Sequence, residues 1–182
     1  MKMKSIIWFI FIFMFPGLFS CKEIETYSPV PEVKYKDFIL SEGVLYDTTA
    51  LHLPYIGGIL VFEFTDGDGN FGFLNCDNKD DTTFNIYITQ LEKRDGIYYS
   101  SNPEDSSSQD YNQKICYDEA MERSGQNKLI QGKIEILFLY ALFDHPSFDT
   151  IKYSFYITDQ AKNKSNTELT DEIVIDWDSY GH

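Results

Sequence analysis

Residues 151–166 read IKYSFYITDQAKNKSN, and their pattern decides the fold class. Ile151, Tyr153, Phe155 and Ile157 recur at every second position, with Lys152, Ser154 and Tyr156 between them. A period of two puts one set of side chains on a single face of an extended strand. The run stops at Asp159-Gln160-Ala161-Lys162-Asn163-Lys164-Ser165-Asn166, a polar loop. On either side the period returns. Ile134, Ile136, Phe138 and Tyr140 follow Gly132, and Ile173, Ile175 and Trp177 come after the loop.

Further upstream the same signal repeats. Leu60, Phe62 and Phe64 alternate with Val61 and Glu63, and Phe84 to Thr89 alternates again. Arg94-Asp95-Gly96 reads as a turn, from which Ile97-Tyr98-Tyr99 returns. With a first strand near Tyr35 to Leu40, about seven strands arise, and no long amphipathic helix interrupts them. That pattern predicts an all-β fold, a β-sandwich of immunoglobulin or fibronectin-III type. Residues 100–114 (SSNPEDSSSQDYNQK) are polar and read as a surface loop or partly disordered segment. Tyr117 to Ser124 has the composition of a short helix stopped by Gly125.

One of the connecting segments carries chemistry. Residues 64–74 read FTDGDGNFGFL, with Asp66, Asp68 and Asn70 at alternating positions among three glycines. Oxygen donors so spaced suit a hard cation such as calcium, which takes six to eight oxygens. The segment is not an EF-hand, because its sixth position is Phe71 and its twelfth is Asp77. If Leu60–Phe64 is the second strand of the sandwich, residues 66–82 and residues 159–169 are loops at the same end. Asp159 and Asn163 then complete a site begun by Asp66, Asp68 and Asn70. The plainer alternative is a tight turn, with Asp and Asn bonding their own backbone and Gly supplying positive φ.

The N-terminus reads MKMKSIIWFIFIFMFPGLFSC. Two lysines precede the apolar run Ile6 to Phe15, too short to span a bilayer and of the length of a secretory signal. Leu18, Ser20 and Cys21 match a bacterial lipobox, which predicts cleavage before Cys21 and its acylation. Phe19 is larger than the usual residue there, so cleavage by an ordinary signal peptidase stands as the alternative. Several acyl chains, at about 0.8 kcal/mol per buried methylene, anchor a protein stably where one would not. The expected organisation is signal peptide 1–20, lipidated cysteine and tether 21–34, and a single domain 35–182.

Charge and cysteine content narrow the classes. The full chain carries a formal −14, and loss of Lys2 and Lys4 with the signal makes it more acidic still. No basic cluster remains, so no electrostatic footprint for nucleic acid exists. Cys76 and Cys116 are the cysteines left after Cys21. Outside the inner membrane they are read either as a disulfide closing a loop of about 40 residues, worth about 4 kcal/mol, or as two buried thiols. No G-x-S-x-G, P-loop, HExxH or C-x-x-C occurs, and His52, His145 and His182 are scattered.

A strand ending in DGDGNFG, a late strand followed by DQAKNKSN, and the segment Thr170-Asp171-Glu172-Ile173 together resemble a family of small Bacteroidota lipoproteins. Asn70 and Lys162 stand where that family commonly has aspartate and glycine. The resemblance implies a fibronectin-III-like or immunoglobulin-like sandwich on an outer-membrane lipoprotein, and Glu23 and Glu25 are in keeping with cell-surface export. The expected role is non-enzymatic: an interaction module or accessory subunit of an outer-membrane protein complex, held to the membrane through Cys21. The alternatives are a carbohydrate-binding lipoprotein beside a glycan transporter, with Tyr98, Tyr99 and Tyr111 as stacking surfaces, and a small hydrolase using paired carboxylates. No cofactor is expected beyond calcium.

Overall fold

The computed structural model describes residues 27–46, 52–74, 83–100, 111–117, 128–141 and 148–177. Ten strands occur among them: β1 (Glu32–Tyr46), β2 (His52–Asp66), β3 (Phe73–Leu74), β4 (Ile86–Arg94), β5 (Ile97–Ser100), β6 (Cys116–Tyr117), β7 (Ile130–Ala141), β8 (Thr150–Ile157), β9 (Glu168–Leu169) and β10 (Ile173–Val174). One sheet has the order β1-β2-β7; the other runs β10-β8-β4-β5, with β9 also paired to β8. Both are antiparallel. Strands β1, β2 and β7 on one side, with β4, β5 and β8 on the other, make the immunoglobulin-like sandwich that the alternation predicts.

The period of two explains the packing. Leu60 and Phe62 of β2 and Ile134, Ile136 and Phe138 of β7 are buried on the inner face of one sheet. Ile86 and Ile88 of β4 and Ile151, Tyr153, Phe155 and Ile157 of β8 are buried on the inner face of the other. The sheets meet through aromatic contacts, with Phe62 to Phe155 at 4.8 Å and Phe138 to Tyr153 at 4.4 Å between ring centroids. Each such buried side chain contributes about 1.5–3 kcal/mol relative to exposure. Gly58 makes room for this layer: a Cβ there would lie 2.4 Å from the Phe38 ring.

The β4–β5 hairpin turns at Asp95 and Gly96, both with positive φ (51° and 79°). That is the backbone of a two-residue turn whose twist matches its strands, and Asp-Gly is among the sequences that adopt it. The expected boundaries shift elsewhere. β1 begins at Glu32, and Val33 is buried, so the sandwich starts before Tyr35. β4 begins at Ile86, two residues after the expected Phe84, which is exposed.

The last strand is broken in two. Only Ile173 and Val174 pair with β8, short of the expected run to Trp177, while Glu168 and Leu169 pair with β8 further along. Thr170 interrupts them because its Oγ1 accepts the Tyr153 N–H at 3.0 Å.

Part of the polar segment 100–114 is structural. Gln113 exchanges backbone hydrogen bonds with Ile86, and Tyr111 N–H donates to the Ile88 carbonyl. These contacts occupy the edge of β4 beyond the reach of β5. Residues 101–110 lie outside the described residues, as do 118–124 of the expected short helix; Tyr117 itself belongs to β6.

Candidate metal centre at one end of the sandwich

β2 ends at Asp66, and β8 ends two residues before Asp159. Because both strands run toward the same end, their following loops meet there. Asp66, Asp68 and Asp159 each offer an oxygen, and these atoms all lie within 4.8 Å of one another. Asp66 is wholly buried and Asp159 is 3% exposed.

The first loop curls around Asp66. Its Oδ2 accepts the backbone N–H of Asn70 at 2.9 Å and of Phe71 at 2.8 Å. Gly69 takes φ 68° to permit the curl, and a Cβ there would lie 1.9 Å from the Lys128 carbonyl. Phe71 is buried and packs its ring 4.7 Å from Phe64, which pins the loop onto the core. Asn70 Nδ2 donates to Asp68 Oδ2 at 2.9 Å.

The second loop is a turn built on Asp159. Asn163 donates its backbone N–H to Asp159 Oδ1 and its side-chain Nδ2 to Asp159 Oδ2, both at 2.7 Å. Asn163 therefore positions Asp159. Lys162 sits at φ 69°, the left-handed region that favours glycine and the reason a glycine suits this position. Gln160 joins the two loops, its N–H donating to the Asn70 carbonyl (3.2 Å) and its Nε2 to the Gly72 carbonyl (2.8 Å). Nothing in the sequence pattern marks Gln160 for this role; Phe71, an apolar residue between glycines, carried a readable signal.

Three oxygens at this end have no donor. Asp66 Oδ1, Asp68 Oδ1 and Asn70 Oδ1 are buried and accept no hydrogen bond. Among the described residues no lysine or arginine forms an ion pair with Asp66, Asp68 or Asp159. Lys162 is exposed, and Lys164 places its Nζ 3.7 Å from the centroid of the Tyr156 ring. Burial pushes the Asp66 carboxyl up to about 6, the neighbouring Asp68 carboxylate pushes the same way, and the N–H groups of Phe71 and Asn70 oppose both.

The remaining expected residues fall as follows. Cys116 is disulfide-bonded. Cys76 and Cys21 lie outside the described residues, and the parallel pairing of Leu74 with Tyr117 brings the chain two residues before Cys76 alongside β6. His52 is in β2, whereas His145 and His182 lie outside the described residues. Tyr111 packs against the core, edge-on to Phe138 at 4.9 Å. Tyr98 donates to Glu172 Oε1 at 2.8 Å and has the Nζ of Lys93 and of Lys152 near its ring. Of the three tyrosines only Tyr99 is exposed.

Comparison with protein families, curated proteins and solved structures returned no match. The fold class therefore stands on the topology, and the site on its geometry.

Proposed function

We propose that this chain is a non-enzymatic, surface-exposed lipoprotein of the outer membrane, acting as an accessory subunit that docks on an integral outer-membrane protein. The observation that carries the reading is an apolar row on the outer face of the three-stranded sheet. Ile39, Ile59 and Leu137 stand side by side in register across β1, β2 and β7. Ile39 is 46% exposed and Leu137 61%, and Leu139 continues the row along β7. Ion pairs Lys36–Glu63 and Lys133–Glu135 lie beyond it on the same sheet. An apolar centre beside charged groups is the anatomy of a protein interface.

The anchor suits a membrane-bound partner. Between Cys21 and the start of β1 the chain reaches at most about 40 Å. It enters at the acidic-loop end, where Gly67 N–H donates to the Ser28 carbonyl at 3.0 Å. A hydrolytic role for the acidic cluster is disfavoured because Asp66 is wholly buried, out of reach of a polymeric substrate.

The test is a photo-crosslinking amino acid at Leu137 in the full-length chain, expressed in its own membranes. A stoichiometric adduct with one integral outer-membrane protein, lost in Leu139→Glu, supports the reading. No such adduct, together with signal on a glycan array, transfers the chain to the carbohydrate-binding alternative.

A further inference from the structure

We propose that the loops following β2 and β8 share one calcium ion, ligated by Asp66 Oδ1, Asp68 Oδ1, Asn70 Oδ1 and a carboxylate oxygen of Asp159. The inference is independent of the docking face.

Two separate observations carry it. The first is convergence: three carboxylates from two loops distant in sequence present oxygens within one 4.8 Å envelope. The second is the orphaned acceptors. A buried carboxylate oxygen without a donor is costly, by about 1–3 kcal/mol or more for a charged group. Here Asp66 Oδ1 belongs to a side chain with no exposure at all, and Asp68 Oδ1 and Asn70 Oδ1, on half-buried side chains, are likewise buried atoms with no donor. An ordinary turn would not explain them, because a turn uses its Asx oxygens on backbone N–H groups. The loop already does that with the other oxygen of Asp66, leaving Oδ1 over.

The donor set selects the ion. It holds oxygen alone, carboxylate and amide, with neither sulfur nor imidazole, which favours hard cations over soft and borderline metals. Size then discriminates. Oxygens on opposite sides of calcium stand about 4.6–5.2 Å apart, twice the Ca–O distance, whereas around magnesium they span only about 4.0–4.2 Å. The three oxygens lie within 4.8 Å of one another, an envelope that admits calcium's wider shell, and ligands drawn from two separate loops suit its flexible coordination better than magnesium's near-ideal octahedron. A divalent ion leaves one negative charge on three carboxylates, where the chain itself supplies no ion-pairing cation among the described residues. Asp159 is held for the task by Asn163, and Gln160 sets the spacing between the loops.

The experiment uses the full-length lipoprotein in detergent, stripped with EDTA. Calcium should bind one ion per chain and raise the melting temperature, by about 5–10 °C at a hundredfold excess over Kd. Magnesium should need at least a tenfold higher concentration. Asp68→Asn and Asp159→Asn should each weaken calcium binding at least tenfold, and both loops, 66–72 and 159–163, should gain amide-exchange protection when calcium is added. Asp66→Asn is the more direct change, but the burial of Asp66 makes folding of that variant uncertain, so the decision rests on the other two. The inference is overturned if millimolar calcium neither binds nor shifts melting, if both variants bind within threefold of the parent, or if only one loop responds.

Discussion

Two regions of this sandwich bury polar side chains, and they treat them in opposite ways. In the middle of the core, Tyr140 and Tyr153 bring their hydroxyls within 2.6 Å, and Tyr153 and Tyr111 both donate to Gln90 Oε1, at 3.1 and 3.3 Å. Since Tyr153 donates to Gln90, Tyr140 must donate to Tyr153. Burial pushes the Tyr140 and Tyr153 hydroxyls up, so both stay protonated and able to donate. At the loop end, Asp66, Asp68 and Asn70 each keep a buried oxygen with no donor. A tyrosine network contains both donors and acceptors and closes on itself, whereas carboxylates above their pKa only accept. The core hydroxyl network closes on itself, and the loop end leaves acceptors open, as the proposed calcium site requires.

Changes at the centre of the first network should have the largest effect. Tyr153→Ala removes a wholly buried ring that stacks on Phe38 and Phe138, and should cost about 3–5 kcal/mol in denaturant unfolding. Tyr153→Phe keeps the ring and removes only the hydroxyl, stranding that of Tyr140; about 1–3 kcal/mol is expected. A Tyr153→Phe protein as stable as the parent would mean that the network contributes nothing and the contrast between the two regions fails.

At the loop end the expected change has a sign that depends on the medium. In EDTA, Asp68→Asn relieves repulsion beside Asp66 and should leave melting unchanged or raise it slightly. In calcium the same variant should melt below the parent by several degrees, since its ligand charge is gone. Equal offsets in both media would remove the distinction between a closed network and an open one. The smallest effect belongs to the outer face. Leu137→Ser should shift stability by no more than about 0.5 kcal/mol, as an exposed substitution does, while weakening co-purification of the proposed outer-membrane partner.

Much of this was readable from local pattern. Alternation at Leu60–Phe64, Ile134–Tyr140 and Ile151–Ile157 announced the inner faces, because a period of two and a half-buried strand are the same physical fact. Asp-Gly at 95–96 announced its turn. Placing Asp66 near Asp159 needed only the strand order of the fold, and the two do converge. Other features had no local signal. Thr170 breaks the last strand through a bond to Tyr153, a partner seventeen residues away. Asn85 is buried because its side chain clamps the backbone of Ile115 with bonds of 2.8 and 3.1 Å. Tyr111, in a segment polar enough to read as solvent-facing, belongs to the core because Phe138 and Tyr153 offer it ring edges and faces.

The sequence by itself determined the strand periodicity, the turn chemistry and the set of oxygen donors, all of which depend on residues within a few positions of one another. Tertiary structure alone decided which of those oxygens are left without donors. That depends on what the opposite loop brings: Gln160 bonds to backbone carbonyls, Asn163 occupies Asp159, and Lys164 is drawn to Tyr156. Desolvation and unmet hydrogen bonding are properties of an assembled neighbourhood, so no reading of either loop alone could have found them.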